Sequence, residues 1–527
     1  MIRVNEVNLK LDESEDRLKY RIGKKLNIRP EDILEYRIVK KSVDARKKDN
    51  IKFVYAVDIK TIKDEYLLKS KKAVPSNIVE YEYVKMGMEQ LNHRPVIVGS
   101  GPCGMFCALT LAQMGYKPII IERGKDVDER IKDVEDFWKN RNLNINSNVQ
   151  FGEGGAGTFS DGKLTTQIKN TRCQKVLQEF VAFGAPKEIL YNSKPHIGTD
   201  IIRDVIKNIR IYIQQLGGEF RFNTTLTDIK VEENKIVAIE LNNQTWLPTD
   251  ICVLALGHSA RDTFEMLHKS NIRIEQKPFA MGVRIEHLQE WINKSQYGDF
   301  YDNPNLGASE YKVTYNKGDR SVYSFCVCPG GFVVASTSEK DMVVTNGMSL
   351  HKRDGVNVNS AILVNITPDD FESNNPLAGI RLQQQLERLA YDLGGENYNA
   401  PVQTVGDFLQ NKPTTEIGVV KPTYKPDVTK TNIRESLPKF MADSIADAIN
   451  YFGTKIEKFN HPDALITGIE TRSSSPIRIL RDKQYQSNIE GIYPAGEGAG
   501  YAGGITSSAV DGIQAAEIIA QKYANLK

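Results

Sequence analysis

The sequence predicts an α/β fold in which segments far apart in the chain join one parallel sheet. Three short apolar runs have the length of buried parallel strands, and each leads into glycine: residues 95–98, 250–257 and 489–494. The first run is followed by a helix with apolar spacing and a further apolar strand, 118–121, that ends on Glu122. Strand–turn–helix–strand is the unit from which parallel sheets are built.

The turn Gly99-Ser-Gly-Pro-Cys-Gly104 has the spacing and context of a dinucleotide fingerprint. Gly99 permits the tight turn, Gly101 lets a pyrophosphate approach the backbone, and Gly104 lets helix and strand pack closely. Amides at the helix start favour an anion. Glu122 ends the next strand, where a carboxylate accepts both ribose hydroxyls and repels a 2′-phosphate. A Rossmann-like dinucleotide site is favoured over a turn with chance glycines.

Composition excludes several classes of protein. With 527 residues, 40% of them hydrophobic and 26% charged, the chain resembles a soluble protein of two or three domains. The net charge of +2 gives no electrostatic footprint for nucleic acid or an anionic membrane. No signal-peptide core or membrane-spanning apolar run is found, and six cysteines show no zinc spacing. We expect a cytoplasmic protein without a metal site.

Four segments are predicted as domains or parts of domains. Residues 1–88 form a small N-terminal α+β accessory domain with a β-α-β-β pattern, which runs into a charged linker at 63–93. Residues 89–275 and 471–527 form the two parts of the dinucleotide-binding domain. Residues 276–470 form an inserted α+β substrate domain, with strands first and helices at 376–394 and 439–452.

Two charged or reactive features have alternative interpretations. The basic turn at 40–48 is typical of a solvated hairpin tip, although it also suits an acidic partner. Cys326 and Cys328 are alternate residues of a predicted strand and therefore share a face. Two buried small hydrophobic residues are the favoured interpretation, and a redox pair is the sharper one.

Further polar residues lie where backbone is able to meet a cofactor. The glycine-dense loop at 150–164 suits backbone that lies flat against a ring system or phosphate, and carries Ser160, Asp161 and Lys163. The strand ending at Gly257 places His258 at the sheet edge where α/β folds bind ligands. Near the C-terminus, Glu497 lies beside a second glycine turn that opens a helix at 509–523.

Together these motifs resemble one group of proteins. Val96-Ile-Val-Gly-Ser-Gly-Pro-Cys-Gly, Gly154-Gly-Ala-Gly-Thr-Phe-Ser-Asp-Gly-Lys-Leu, Glu470-Thr-Arg-Ser-Ser-Ser-Pro-Ile-Arg-Ile and Tyr493-Pro-Ala-Gly-Glu-Gly-Ala-Gly-Tyr-Ala-Gly-Gly-Ile are similar to those of bacterial FAD-dependent dehydrogenases of unassigned substrate. These NAD(FAD)-utilising dehydrogenases belong to the glutathione-reductase-like flavoprotein superfamily. The resemblance runs from about residue 94 to the C-terminus.

The resemblance implies how the chain binds FAD. The first turn would hold the pyrophosphate, Glu122 the adenosine ribose, the 154–163 loop and 503–505 the isoalloxazine ring, and 496–497 the ribityl-phosphate region. Leu226 and its neighbour Thr225 would pass the adenine. The implied cofactor-binding residues are Gly99, Ser100, Gly101, Pro102, Cys103, Gly104, Glu122, Arg123, Gly154, Gly155, Ala156, Gly157, Thr158, Ser160, Asp161, Gly162, Lys163, Leu226, Gly257, Gly496, Glu497, Gly503, Gly504 and Ile505.

Two departures from better-known relatives limit the prediction. Glu497 stands where many members of the superfamily have aspartate. No second strand–GxGxxG–helix unit occurs in 275–470, so NAD(P)H remains open as electron donor but has no dedicated motif. Cys103 and Cys107 lie too early in the chain to be the redox pair of disulfide reductases.

The predicted function is a FAD-dependent oxidoreductase that passes a hydride between flavin N5 and an unidentified small organic substrate. Candidate catalytic residues are Arg472, Arg284 and His258, and either arginine would also suit an acidic substrate. An RNA-modifying or RNA-binding flavoprotein, and a flavin-bound redox sensor or scaffold without turnover, are the alternatives. The substrate, the direction of electron flow and the oligomeric state are left open.

Overall fold

The N-terminal part of the chain forms a small four-stranded sheet. The computed structural model describes residues 1–77, 80–371 and 373–526; residues 78 and 79 of the expected linker lie outside this range. The elements are β1 (Ile2–Lys10), α1 (Leu18–Leu26), β2 (Ile33–Asp44), β3 (Lys52–Thr61), α2 (Asp64–Lys69) and β4 (Val74–Pro75). The strand order is β2-β3-β1-β4, and the expected β-α-β-β pattern is found.

The next segment supplies most of a parallel sheet. Its elements are β5 (Val96–Val98), α3 (Pro102–Gln113), β6 (Ile119–Ile121), α4 (Val127–Asn140), α5 (Arg172–Ala182), α6 (Thr199–Gln215), β7 (Glu219–Arg221), β8 (Leu226–Glu232), β9 (Lys235–Leu241), β10 (Thr245–Pro248), β11 (Cys252–Leu254) and α7 (Arg261–Lys269). The elements at the C-terminal end are β22 (Ile477–Ile479), β23 (Ile492–Pro494) and α12 (Ile505–Lys522). α12 begins four residues before the predicted 509.

Strands from both segments form one five-stranded sheet of order β23-β11-β5-β6-β7, with every pairing parallel. Apolar residues of α3, α5, α6 and α12 pack on one face. The antiparallel sheet β10-β9-β8 and helix α7 cover the other face. Because parallel strands present their carboxyl ends at one edge, the turns after β5, β11 and β23 lie at the same edge.

The inserted segment is built around a seven-stranded sheet. Its elements are β12 (Ile274–Gln276), β13 (Phe279–Leu288), α8 (Gln289–Tyr297), β14 (Thr314–Lys317), β15 (Arg320–Cys328), β16 (Phe332–Ala335), β17 (Thr345–Met348), β18 (Asn357–Ile366), α9 (Ala378–Leu393), β19 (Ala400–Thr404), α10 (Val405–Leu409), β20 (Val428–Lys430), α11 (Lys439–Gly453) and β21 (Leu465–Glu470). The order is β14-β15-β18-β13-β21-β19-β20, and the sheet is mixed because only β19 and β20 pair in parallel.

The central strand of that sheet, β13, is buried along nearly its whole length. Helices α9 and α11 contribute to the core that covers it. Between α10 and α11 lies the short strand β20, which the sequence analysis did not predict. Within the described residues, every helix is too short or too polar to cross a membrane.

The N-terminal sheet is attached to the rest of the molecule by backbone pairing. The Lys41 amide donates to the Tyr191 carbonyl at 2.7 Å, and the Ser193 amide donates back to the Lys41 carbonyl at 2.8 Å. The core of the sheet also includes Tyr297 and Leu306 of the inserted segment. We propose 1–88, 89–275, 276–470 and 471–527 as the domain organisation.

Candidate functional site

The two glycine turns meet at the carboxyl edge of the parallel sheet. A Cβ built on Gly496 would lie 2.8 Å from the Cβ of Cys103, so the turn after β23 contacts the first turn of α3. A Cβ on Gly104 would lie 1.9 Å from the Gly99 carbonyl oxygen, so helix and strand approach too closely for any side chain. The Gly496 amide donates to Asp511 of α12 at 2.7 Å, which ties the second turn to its helix.

A cavity of about 360 Å³ runs along this edge and extends to the inserted sheet. The predicted site residues on its wall are Gly99, Gly101, Pro102, Cys103, Glu122, Arg123, Gly155, Ala156, Gly157, Ser160, Asp161, Gly162, Lys163, Leu226, Gly257, His258, Arg472, Glu497, Gly503, Gly504 and Ile505. Segments that are distant in the sequence therefore share one cavity.

Six predicted residues are not on the cavity wall. They are Ser100, Gly104, Gly154, Thr158, Gly496 and Arg284. Ser100 and Thr158 are buried behind it, with exposures of 0%. Thr158 donates its hydroxyl to the Glu153 carbonyl at 3.1 Å and supports the loop from within. Ser100 and Thr158 therefore support the wall from behind and do not face the cavity.

Glu122 is held by four donors of the protein. Its Oε2 accepts from the Ser100 amide at 3.0 Å and the Ser100 hydroxyl at 2.7 Å. Its Oε1 accepts from the Gly124 and Gly152 amides, both at 2.9 Å. The carboxylate thus joins the first glycine turn to the loop that precedes Gly154. Because each carboxylate oxygen accepts about two bonds, a ribose hydroxyl needs one donor to give way, and the Ser100 hydroxyl is free to rotate.

Three glycines on the wall face open space, and they allow a test of whether FAD fits the cavity. A glycine that no neighbouring atom requires indicates room kept for a ligand. A Cβ built on Gly257, Gly503 or Gly504 would meet no atom within 4 Å. Gly257 and Gly504 have positive φ angles of 71° and 95°, which favour glycine in any case. Gly503 has neither a steric nor a conformational reason within the described residues, and it lies beside the N-terminus of α12. A ligand that lies flat against this backbone explains it, and the residues fit FAD.

His258 offers a second sign of a bound group. Its Nδ1 lies 3.2 Å from Glu497 Oε1, while its buried Nε2 has no hydrogen-bond partner among the described residues. A buried polar atom without a partner is costly, so an orphan on a cavity wall indicates a ligand atom. The pairing also gives the Glu497 side chain a specific contact at the cavity wall.

The polar side chains of the 160–163 loop form hydrogen bonds and ion pairs with other residues of the protein. Asp161 forms an ion pair with Arg353, and Ser160 donates to the Gly157 carbonyl at 2.8 Å. Lys163 donates to the Val327 carbonyl and lies 3.4 Å from Glu310. The loop is therefore tied to the inserted sheet, and its backbone glycines form the wall.

Arg472 is committed to a buried ion-pair network. Its guanidinium donates to Glu387 at 2.9 and 3.2 Å, to Glu339 at 3.3 Å, and to the Ser259 and Ser338 hydroxyls at 3.2 and 2.6 Å. Glu387 also accepts from Arg261 at 2.7 and 2.8 Å. Burial would raise the pKa of Glu387, but the two arginines hold it below its ordinary value. All five N–H groups of Arg472 have partners, so it positions the wall rather than clamping a substrate.

Arg284 corrects the sequence-based expectation of a catalytic arginine. It is fully buried and lies behind the cavity wall. Its guanidinium donates to Glu470 at 2.6 and 2.8 Å, to Asn346 at 3.4 Å, to Asn359 at 2.9 Å, and to the Cys326 carbonyl at 3.0 Å. With its donors used, Arg284 cannot reach a substrate. It supports instead the side of the cavity that the inserted segment forms, which we call the cap side.

The sequence analysis missed the wall that the inserted sheet contributes. Phe325, Cys326 and Glu470 of the inserted sheet line the cavity, together with Asn346 of β17 and Ser473, which follows β21. Burial raises the pKa of Glu470, while the nearby Arg284 lowers it, and the net shift is upward. Their signal was weak, because only the cysteine spacing and the 470–478 motif marked two parts of this wall.

Two further residues on the dinucleotide side were also missed. Gln150 and Ser259 line the cavity, and the Ser259 hydroxyl donates to Gln150 Oε1 at 3.0 Å. The Gln150 amide bonds onward to Ser336 of the inserted segment. These contacts connect the two halves of the site.

Comparison with known proteins identifies the domain that carries the cap side of the cavity. Residues 278–473 match the family model described as FAD-dependent protein, C-terminal domain-like. Residues 1–60 match a domain of unknown function. An uncharacterized protein of Clostridium beijerinckii is 49% identical over 528 residues, which is 99% of this chain and 99% of that protein.

Solved structures show weak overall likeness. CtdE in complex with FAD covers 81% of this chain and 83% of its own, at 12% identity and a TM-score of 0.31. Halogenase PltM in complex with phloroglucinol and FAD covers 81% of this chain and 67% of its own, at 10% identity and a TM-score of 0.37. A geranylgeranyl bacteriochlorophyll reductase-like protein of Thermoplasma acidophilum covers 82% of this chain and 78% of its own, at 11% identity and a TM-score of 0.34. Nothing about function follows from scores this low.

The near-complete match and the FAD-dependent domain agree with a cavity whose glycines face open space. The chain therefore belongs to the same protein family as the Clostridium beijerinckii protein and carries the C-terminal domain of a FAD-dependent protein, and its cofactor is FAD.

Proposed function

We propose that the protein is an oxidoreductase that passes a hydride between the flavin and a small organic substrate. Within the flavoproteins, we place it with the bacterial NAD(FAD)-utilising dehydrogenases of unassigned substrate. The observation that carries this proposal is the shared cavity. One wall is glycine backbone at the carboxyl edge of the parallel sheet, and the inserted segment forms a second wall that carries polar groups such as Asn346 and Glu470. A cofactor on the first wall leaves the second wall to contact a substrate.

Each part of the glycine wall has a proposed task. The amides at the start of α3 would hold the pyrophosphate, because a helix N-terminus favours an anion. Glu122 would accept a ribose hydroxyl after the Ser100 hydroxyl rotates away. Gly503 and Gly504 would back the isoalloxazine ring, and Glu497 would accept a hydroxyl of the ribityl chain. When bound, FAD supplies hydride chemistry at N5.

The substrate side needs groups that hold or exchange a proton. His258 is the remaining candidate among the three proposed catalytic residues, because its Nε2 is unpartnered among the described residues. Glu470 also lines the cavity, where its carboxylate accepts two hydrogen bonds from Arg284. Arg472 and Arg284 would position this wall.

The test begins with the cofactor and then identifies the electron donor. Purified protein is denatured, and the released flavin is identified by mass spectrometry; we expect FAD. The holoenzyme is then mixed with NADH or NADPH without oxygen, and flavin bleaching is recorded for each. A panel of small organic acceptors is screened by the return of the flavin absorption.

The outcomes separate the proposal from its alternatives. Reoxidation by one class of acceptor supports an oxidoreductase and names the substrate class. A flavin that is reduced but reoxidised by no acceptor indicates a redox sensor. A protein that binds no FAD contradicts the proposal altogether.

A further inference from the structure

Cys326 places a thiol on the cap side of the cavity, and Cys328 lies directly behind it. Cys326 lines the wall, whereas Cys328 is fully buried. The Cys328 thiol donates to the Cys326 carbonyl oxygen at 3.3 Å. The two cysteines are therefore in direct contact, and Cys326 faces the space that the glycine wall encloses.

The backbone at Cys326 has an unusual conformation that aims its side chain. Its φ angle is 46°, in the left-handed region that non-glycine residues rarely adopt. The pairing of β15 with β18 shifts register between Phe325 and Cys328, which is a β-bulge. Bulges re-aim side chains and occur next to active sites. The bulge thus sets the direction of the Cys326 side chain, and the two cysteines do not follow simple strand alternation.

Two cations hold the bulge in place. Arg284 donates to the Cys326 carbonyl at 3.0 Å, and Lys163 donates to the Val327 carbonyl. Lys163 belongs to the glycine-rich loop at 154–163, so this contact brings the cysteines to the end of the cavity where that loop and Gly503 lie. A strained residue held by two partly buried contacts indicates a site where the geometry serves a function.

The electrostatics divide the two cysteines into different roles. The interaction with Cys328, together with the charges of Arg284 and Lys163, lowers the pKa of Cys326 to about 6. The same interaction and burial raise the pKa of Cys328 well above its ordinary value. Burial raises the pKa of Cys103, Cys107, Cys173 and Cys252 instead. A thiolate beside a thiol is the reactive form of a dithiol couple.

We propose that Cys326 and Cys328 are a redox-active dithiol that exchanges an electron pair with the bound FAD. The inference rests on the proposed function, because it needs a flavin whose reactive ring lies at this end of the cavity. Counted from two neutral thiols, an S–S bond forms while both S–H bonds break. The two electrons and two protons that leave convert FAD to FADH2, and the reverse step restores the thiols.

The experiment counts electrons and locates the disulfide in the holoenzyme. Protein is oxidised with ferricyanide, desalted and titrated with dithionite without oxygen, while the flavin absorption is followed. We expect wild-type protein to take up twice as many electrons per FAD as Cys328→Ser, because the variant cannot form the disulfide. Iodoacetamide labelling after unfolding, read by mass spectrometry, should leave Cys326 and Cys328 unlabelled only in the oxidised wild-type protein.

Cys173→Ser is the matched control, because Cys173 lies outside the cavity and should keep the doubled electron uptake. Cys326→Ser is a second variant, and the wild-type titration decides the question even if both variants fold poorly. Wild-type protein that binds FAD, takes up electrons for the flavin alone and labels at both cysteines overturns the inference. A disulfide mapped to Cys103 and Cys107 overturns it as well. Protein without flavin overturns the proposed function first, before any titration begins.

Discussion

Gly496 packs against Cys103 so closely that a Cβ on the glycine would lie 2.8 Å from that of the cysteine. The contact joins the turn after the last strand of the parallel sheet to the turn after its first strand. A single dinucleotide is able to touch both turns only if they lie side by side, as they do. The cofactor site is therefore a product of the sheet order, in which only β11 separates β23 from β5.

Gly503→Ala tests whether a ligand is what keeps this wall free of side chains. No atom lies within 4 Å of the added Cβ, so the thermal midpoint of the FAD-free protein should change little. Affinity for FAD should fall, since the methyl group would occupy space that the cofactor needs. Unchanged FAD affinity, measured by equilibrium dialysis or flavin fluorescence, would contradict the placement of the ring beside Gly503.

Gly104→Ala is the matched variant with the opposite expectation. The added Cβ would lie 1.9 Å from the Gly99 carbonyl oxygen, so α3 must move away from β5. We expect the free energy of unfolding of the FAD-free protein to fall by about 1–3 kcal/mol, the cost typical of overpacking. The thermal midpoint should fall accordingly. An FAD-free Gly104→Ala protein as stable as the wild type would show that the turn is less tightly packed than the structure indicates.

The parallel sheet was predictable because its signals are local. Apolar runs of strand length, followed by glycine and a helix, identify β5, β11 and β23 without knowledge of their neighbours. The cap wall was not predictable in the same way. Arg284 bonds to Glu470, which is 186 residues away, so nothing near the arginine reveals that its donors are used. The left-handed bulge at Cys326 likewise arises from pairing between strands.

Glu122→Gln tests the junction between the two glycine loops. The carboxylate accepts from four donors, and an amide would set its own N–H groups against two of them. Leaving buried donors unsatisfied costs roughly 1–3 kcal/mol per group. We therefore expect both a lower thermal midpoint and weaker FAD binding, measured on the same preparation.

Ser100→Ala is the control for that variant. It removes the hydroxyl donor to Glu122 and keeps the backbone amide, so one acceptor position becomes available. If Glu122 holds the ribose, FAD should bind Ser100→Ala at least as tightly as the wild type. Weaker binding by Ser100→Ala would argue that the hydroxyl itself contacts the cofactor and that Glu122 is only structural.

Glu387→Gln tests the buried network behind the cavity. Glu387 is fully buried and forms ion pairs with both Arg261 and Arg472, which also pair with Glu339. Removing one partner of a buried ion pair typically costs about 3–5 kcal/mol, because charges remain uncompensated. The neighbouring Arg388→Ala is the control: its ion pairs with Asp341 and Asp392 are half-exposed and should contribute less than about 1 kcal/mol. Similar thermal midpoints for the two variants would contradict this account.

The lowered pKa of the buried His287 ring allows a prediction of how the free energy of unfolding depends on pH. Its ring is fully buried, and Nε2 bonds to the Phe459 carbonyl at 2.7 Å. Burial lowers the pKa of His287 to about 4, from an ordinary value of 6.5. The unfolded chain therefore binds a proton between these values while the folded chain does not, so stability is full above pH 6.5 and falls as pH decreases.

The size of the effect follows from the shift in pKa. One unit corresponds to about 1.4 kcal/mol, so at pH near 5 the loss from this residue is on the order of 2 kcal/mol. His287→Gln keeps a donor for the Phe459 carbonyl and cannot be protonated. We expect the wild type to be the more stable protein at neutral pH and to lose that advantage on acidification, in thermal midpoints measured across the range. Parallel curves for the two proteins would mean that His287 is protonated equally easily in the folded and unfolded chains.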